Sequence, residues 1–139
     1  LISCYNFYMK NLLLIFTLLF STLMFSSPSY GEWTKVSEDV YGITHYVDFE
    51  RIRKHDGYIY FWLLTDYLKP NKFGDLSVKN YQQSDCKLFR FKWLSVSFHT
   101  EPMGHGTVNN IEITGKYKDW IYPPPDSAQE SILKIVCSQ

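Results

Sequence analysis

Four groups of side chains in this sequence have types and spacings that could do chemistry. They are two late cysteines, two histidines around a glycine turn, two aspartates, and a run of cations alternating with aromatics. Cys86 and Cys137 allow two readings. A nucleophilic thiolate at Cys86 needs a neighbouring His or a helix N-terminus to lower its pKa. A disulfide needs only an oxidising compartment, where an even cysteine count reads as a bridge. His99-Thr100-Glu101 echoes the His-x-Glu of zinc deaminases, but the Pro-Cys-x-x-Cys that completes such a site is missing. His99 and His105 flank a turn and could approach one another, yet a structural zinc site wants four ligands and no further cysteine is free to join them. They read as exposed imidazoles at the ends of a turn. Gly104-His105-Gly106 lacks the strand-to-helix context of a phosphate loop. Asp66 and Asp85 are read as hydrogen-bonding or capping carboxylates rather than an acid–base pair. No nucleophile elbow or serine triad occurs. Lys87, Arg90 and Lys92 interleave with Phe89, Phe91 and Trp93. Such a stripe would hold an acidic polymer or an acidic protein patch, or it would be a solvated strand edge. No catalytic residue, cofactor or metal is expected.

The elements that position these groups follow from periodicity. Trp33 to Val40 reads as a short first strand, and Tyr41, Ile43, Val47 and Phe49 continue with period two, which gives a second strand with one buried face. His45 falls on that apolar face, as a hydrogen-bonded core residue. Asp56-Gly57 marks a turn. From Tyr58 to Leu68 both faces are apolar, Tyr60, Trp62 and Leu64 on one and Ile59, Phe61 and Leu63 on the other, so this strand is expected at the centre of a sheet. Leu76 to Asp85 is polar and edge-like. Cys86 leads into a long strand reaching His99, with Phe89, Phe91 and Trp93 on one face and Leu88, Leu94, Val96 and Phe98 opposite. Ile111, Ile113 and Tyr117 suggest one more strand. Pro123-Pro124-Pro125 stiffens the approach to a single C-terminal helix. Ser127 with Glu130 forms a capping box, with the Ser oxygen on an orphan amide and Glu130 returning to the Ser127 amide. Ala128, Ile132, Ile135 and Val136 form its apolar face.

Compartment and class come from the N-terminal third. Met9-Lys10-Asn11 opens an apolar run from Leu12 to Phe25 that ends in Ser26-Ser27-Pro28-Ser29-Tyr30-Gly31, the layout of a secretory signal peptide. Residues 1–8 are read as an over-extended start, 9–31 as the signal peptide and 32–139 as the exported domain. Leu1-Ile2-Ser3-Cys4 spells a lipobox, but it precedes the charge and the apolar run, so it is not expected to be lipidated. The run is shorter than the roughly twenty apolar residues of a membrane span, and no transmembrane helix is expected in the mature chain. Of 14 basic and 14 acidic side chains, losing Lys10 leaves 13 against 14, a net charge near −1. There is no global basic field for nucleic acid or anionic membrane. Export leaves Cys86 and Cys137 as the surviving pair, which favours the disulfide.

The distribution of these residues resembles the bacterial surface-adhesin protein E family. The resemblance runs through Trp33, Tyr46-Val47-Asp48, Trp62-Leu63-Leu64-Thr65-Asp66-Tyr67, Ser77-Val78-Lys79, Asp85-Cys86-Lys87 and Arg90. It continues through Met103-Gly104-His105-Gly106, Trp120, Ser127 and Cys137. It implies an exported α+β domain that tends to dimerise and binds host extracellular-matrix or serum proteins. The lack of a lipobox at the signal exit departs from the family's named member.

The expected fold is therefore α+β: an antiparallel sheet of about five to six strands, a C-terminal helix on one face, and a Cys86–Cys137 disulfide tying them. One helix covers one face only. Tyr60, Trp62 and Leu64, or else the opposite set Ile59, Phe61 and Leu63, are the expected centre of a homodimer, and Lys87, Arg90 and Lys92 the expected partner-binding cations. The expected function is an exported, non-enzymatic binding domain at the cell surface, in the periplasm or secreted. The resemblance implies an adhesin; the alternative is a periplasmic protein binding a small ligand or metal.

Overall fold

Alternating strand sequences separated by Gly, Asn and Pro turns build one antiparallel sheet of seven strands, seen in a computed structural model that describes Met9 and residues 31–139. The strands are β1 Trp33–Glu38, β2 Thr44–Asp48, β3 Arg53–His55, β4 Tyr58–Asp66, β5 Ser77–Asp85, β6 Arg90–His99 and β7 Val108–Ile111. Their spatial order is β1-β2-β4-β5-β6-β7, and β3 pairs with β4 after a 3-10 turn at Phe49–Arg51. The one α-helix of the described residues 31–139, α1 Ala128–Cys137, closes the chain. The lipobox-like tetrapeptide, the over-extended start and nearly all of the expected signal peptide lie outside the described residues. Among the described residues no helix is long and apolar enough to cross a membrane.

The helix covers the β1–β2–β4 side of one face. Ile132 and Val136 meet Val47, Ile59, Phe61 and Leu63 in the core, with Cys86 packed against it. Complete burial of Ile132, Leu133 and Val136 contributes about 1.5–3 kcal/mol per side chain, which a ten-residue helix needs because it is marginal alone. Cys86 and Cys137 are bonded, with Cα atoms 5.7 Å apart. The helix start departs from the expected box in one bond. Ser127 Oγ accepts from the Glu130 amide at 3.1 Å, but Glu130 Oε2 takes the Asp126 amide at 2.8 Å instead of that of Ser127. Asp126 has φ +59°, which turns its amide toward the helix start, and the Ser127 amide goes to Pro124 O.

Three expectations change. Leu76–Asp85 read as an edge strand because it is polar, yet β5 lies between β4 and β6, with Asn80, Gln82, Gln83 and Ser84 buried. The amides of Asn80 and Gln82 are paired internally, whereas Ser84 Oγ has no partner among the described residues: Gln82 Nε2 donates to Asn80 Oδ1 at 2.8 Å, and Gln129 Nε2 of the helix donates to Gln82 Oε1 at 3.0 Å. Buried polar groups are tolerated when paired in this way. In β6 the register slips where Tyr81 and Gln82 oppose Ser95 and Trp93, leaving Leu94 as the extra residue. A bulge of this kind reverses the alternation, so Phe91, Trp93, Val96 and Phe98 share the helix face instead of dividing between two. Finally, β7 stops at Ile111, and Tyr117 belongs to a 3-10 turn, Gly115–Lys118, which stacks it on Trp93 at 4.8 Å.

Candidate functional site

The same registers define what stands on the face opposite the helix. Arg53 of β3 opposes Tyr60 of β4, Tyr60 opposes Gln83 of β5, and Gln83 opposes Lys92 of β6. Three strand spacings of about 4.8 Å put some 14 Å between the two cationic ends of this row. The next row holds Trp62, Tyr81 and Ser95, and the one beyond it Leu64, Lys79 and Ser97. Ring centroids lie 5.0 Å apart for Trp62 and Tyr81 and 6.3 Å for Tyr60 and Tyr81, both tilted by 32°. The three rings form one shallow, partly exposed platform. A cleft of 590 Å³ borders it, lined by Arg53, Lys54, His55, Tyr60 and Tyr81.

Its margins are built by three loops. Ile121 bridges Phe91 through backbone bonds of 2.9 and 2.7 Å, and this carries Trp120 onto the open face, stacked on Tyr58 at 5.5 Å. Arg90 and Lys92 lie over the Trp120 ring at 4.5 and 4.9 Å, a favourable cation–π geometry. Asp85 fixes Arg90 with a bond of 3.1 Å from Nε. The amide of Leu88 foremost, then the Arg90 guanidinium and the Lys87 amide, hold the Asp85 carboxyl below its ordinary range. At the opposite end Pro102–Gly104 folds back onto β4. Asp66 Oδ1 accepts the Met103 amide at 2.8 Å, and Ser77 Oγ accepts that of Gly104 at 2.9 Å. Glycine suits position 104 because its φ of +72° is one that side chains rarely adopt; an added Cβ would also displace the end of Lys79. Behind Phe49–Arg51, Arg51 pairs with the buried Asp48 and reaches over Trp33.

Cations outnumber anions on this face. Burial, and then the Arg51 guanidinium, push the Lys79 ammonium below its ordinary pKa. Among the described residues Arg53, Lys79 and Lys92 have no ion pair, whereas Asp48 and Asp85 are committed to Arg51 and Arg90.

The residues singled out from sequence are thus partly brought together. Tyr60, Trp62, Arg90 and Lys92 share the open face. Leu64 does not contribute to it: it is 0 % exposed, buried within the single chain where the Pro102–Gly104 turn folds back. Lys87 sits in the turn after Asp85, exposed, with its amide on Asp85 Oδ1. Asp66 and Asp85 are the hydrogen-bonding carboxylates expected. His99 is not an exposed imidazole but is 4 % exposed. Its Nε2 lies 3.0 Å from Ser97 Oγ, and Nδ1 has no partner among the described residues. Burial, then Lys79 and His105, lower its pKa. Among the described residues no three His, Cys, Asp or Glu side chains converge as a metal site requires. Sequence reasoning missed Arg53, Lys79 and Tyr81. The alternation of Lys79 and Tyr81 with Val78 and Asn80 was visible, but the strand register that aligns them with Trp62 was not.

Comparison with known proteins agrees with this architecture. No curated protein matches the sequence significantly. Haemophilus influenzae protein E in its second crystal form superposes with a TM-score of 0.59 at 18% identity, over 81% of this chain and 91% of that one. A second structure of H. influenzae protein E gives 0.58 at 18% identity, over 81% and 88%. Protein E from non-typeable H. influenzae gives 0.55 at 18% identity, over 81% and 79%. At that identity the superpositions establish the shared fold. Residues 33–138 match the family described as surface-adhesin protein E, from the first strand to the residue after the terminal cysteine. The chain belongs to the surface-adhesin protein E family.

Proposed function

We propose that this protein is an exported, non-enzymatic adhesin that holds host extracellular-matrix or serum proteins on the open face of its sheet. Membership of an adhesin family supports the reading, and one observation favours this face. Tyr60, Trp62 and Tyr81 form a partly exposed platform between Arg53 and Lys92, which have no ion pair among the described residues. Tyr, Trp and Arg are the residues enriched where protein surfaces bind, and uncovered apolar area of this kind marks interaction sites. Export as a surface or secreted protein accords with the apolar leader and the disulfide.

A homodimer through Tyr60 and Trp62 is the competing use of this face. A two-fold axis would bring the Arg53 and Lys92 of one copy toward the same cations of the other, which costs energy unless anions intervene. The small-ligand alternative has one observation in its favour, a cleft of 350 Å³ on the helix face lined by Trp93, Val96, Phe98, Ile111, Ile113 and Tyr117. That volume is at the lower end of small-molecule sites. The test is solid-phase binding of the full chain to immobilised matrix and serum proteins. Arg53→Glu with Lys92→Glu is expected to weaken binding at least tenfold; binding that is specific yet indifferent to both substitutions would put the interface elsewhere.

A further inference from the structure

We infer that the open face recognises an anionic polysaccharide of the sulfated glycosaminoglycan class, one sugar ring stacking on the Trp62–Tyr81–Tyr60 platform while its acidic groups meet Arg53 and Lys92. This deepens the adhesin reading and rests on it for the location of the site. Three features favour a glycan over an acidic peptide. First, the platform is shallow and partly exposed, its rings tilted by 32° to one another with centroid spacings of 5.0 and 6.3 Å. The C–H face of a pyranose ring is complementary to the negative face of an aromatic ring, whereas a peptide anchor wants a deep pocket. Second, the platform lies in mid-sheet. β4 and β5 each pair with strands on both sides, so a peptide strand could add only at the outer edge of β3, Arg53–His55, and not under the rings.

Third, Arg53 and Lys92 are set apart in a line across the sheet rather than side by side. Arg53 and Lys92 end a row about 14 Å long, and Lys79 stands on the same face across the Trp62 row. A polymer bearing sulfate or carboxylate on successive sugars meets such a line without folding. Arg presents a planar fork suited to sulfate, and Lys a point charge. The 590 Å³ cleft at Arg53, His55, Tyr60 and Tyr81 is of a size to hold a sugar unit beside the platform. A second copy of this chain offers cations where anions are wanted.

The experiment measures binding of the full chain to a heparin octasaccharide by titration calorimetry at low salt. Poly-glutamate and de-sulfated heparin serve as comparison ligands. Trp62→Ala is expected to weaken heparin binding about tenfold, the scale of losing one ring contact. Arg53→Glu with Lys92→Glu should weaken it further, and Lys116→Glu, a single charge reversal on the helix-face turn, should leave it unchanged. Poly-glutamate binding as tight as heparin, equal loss with Lys116→Glu, or no effect of Trp62→Ala would each overturn the proposal. So would a stable dimer lost in Trp62→Ala and unmoved by heparin. Circular dichroism of each variant separates loss of binding from loss of fold. In parallel, binding to a matrix preparation is measured before and after glycosaminoglycan lyase. Loss after digestion supports the glycan. Binding that survives digestion overturns the glycan and leaves the adhesin reading standing, while heparin binding without matrix binding does the reverse.

Discussion

Removing the disulfide should cost about 4 kcal/mol. Cys86 and Cys137 are 51 residues apart, and a loop of that length loses roughly 14 cal/mol/K of denatured-state entropy when closed, or about 4 kcal/mol at 25 °C. Small domains are stable by only about 5–15 kcal/mol, so this one bridge is a large share. The helix it holds has ten residues and three fully buried side chains, Ile132, Leu133 and Val136 to within 1 %, and its N-terminal half is tied to β5 by Gln129 and Gln82. The suitable variant is Cys86→Ala with Cys137→Ala, which leaves no thiol or hydroxyl against the core. At about 2.1 cal/mol/K per residue over roughly 110 residues, 4 kcal/mol lowers Tm by about 17 °C. In urea the midpoint should fall and the slope m should rise, because the uncrosslinked denatured chain expands. A loss below about 1 kcal/mol with unchanged m would refute the reasoning: the denatured chain would then already hold residues 86 and 137 close together.

Ser127→Ala should cost about 1 kcal/mol in urea unfolding; a loss of only a few tenths would mean that Glu130 on the Asp126 amide suffices to start the helix. Asp66→Ala leaves the Met103 amide without its 2.8 Å acceptor and should cost about 1–3 kcal/mol, with faster hydrogen exchange in the turn over Leu64; unchanged exchange there would show that Ser77 alone holds it. Burial lowers the pKa of His45 and His99, so both resist protonation in the folded state. Their stabilising effect is complete above the ordinary histidine pKa of about 6.5 and is lost as pH falls below it through their lowered folded values. Tm should therefore drop between about pH 7 and pH 5, before the carboxylates titrate, and His99→Gln should flatten part of that drop; a Tm constant over this range contradicts the burial of either ring.

Much of the fold was legible because single residues committed it locally. The double apolar face of Tyr58–Asp66 placed β4 in the centre, and Ser127 after three prolines located the helix. What was not legible depends on partners distant in sequence. Nothing in Leu94 marks a bulge, since the slip is set by how β6 pairs with Tyr81 and Gln82 on β5. The polar character of β5 is an edge signature unless Gln129, 47 residues on, supplies the amide for Gln82. The candidate site suffered most from this. Arg90 and Lys92 could be found as an alternating stripe, but Arg53 and Lys79 join them only through registers across β3, β4 and β5, and the burial of Leu64 is set by tertiary packing at the end of β4 where a turn 37 residues away returns to Asp66.

Hydroxyl-radical footprinting of the chain with and without a bound matrix preparation tests the binding face most directly, since radical labelling reads side-chain exposure residue by residue. Binding on the open face predicts protection of Tyr60, Trp62 and Tyr81, with Trp93 and Tyr117 labelled as in the free protein. Protection confined to Trp93, Tyr117 and the exposed side of the helix, with Tyr60, Trp62 and Tyr81 unchanged, would contradict it.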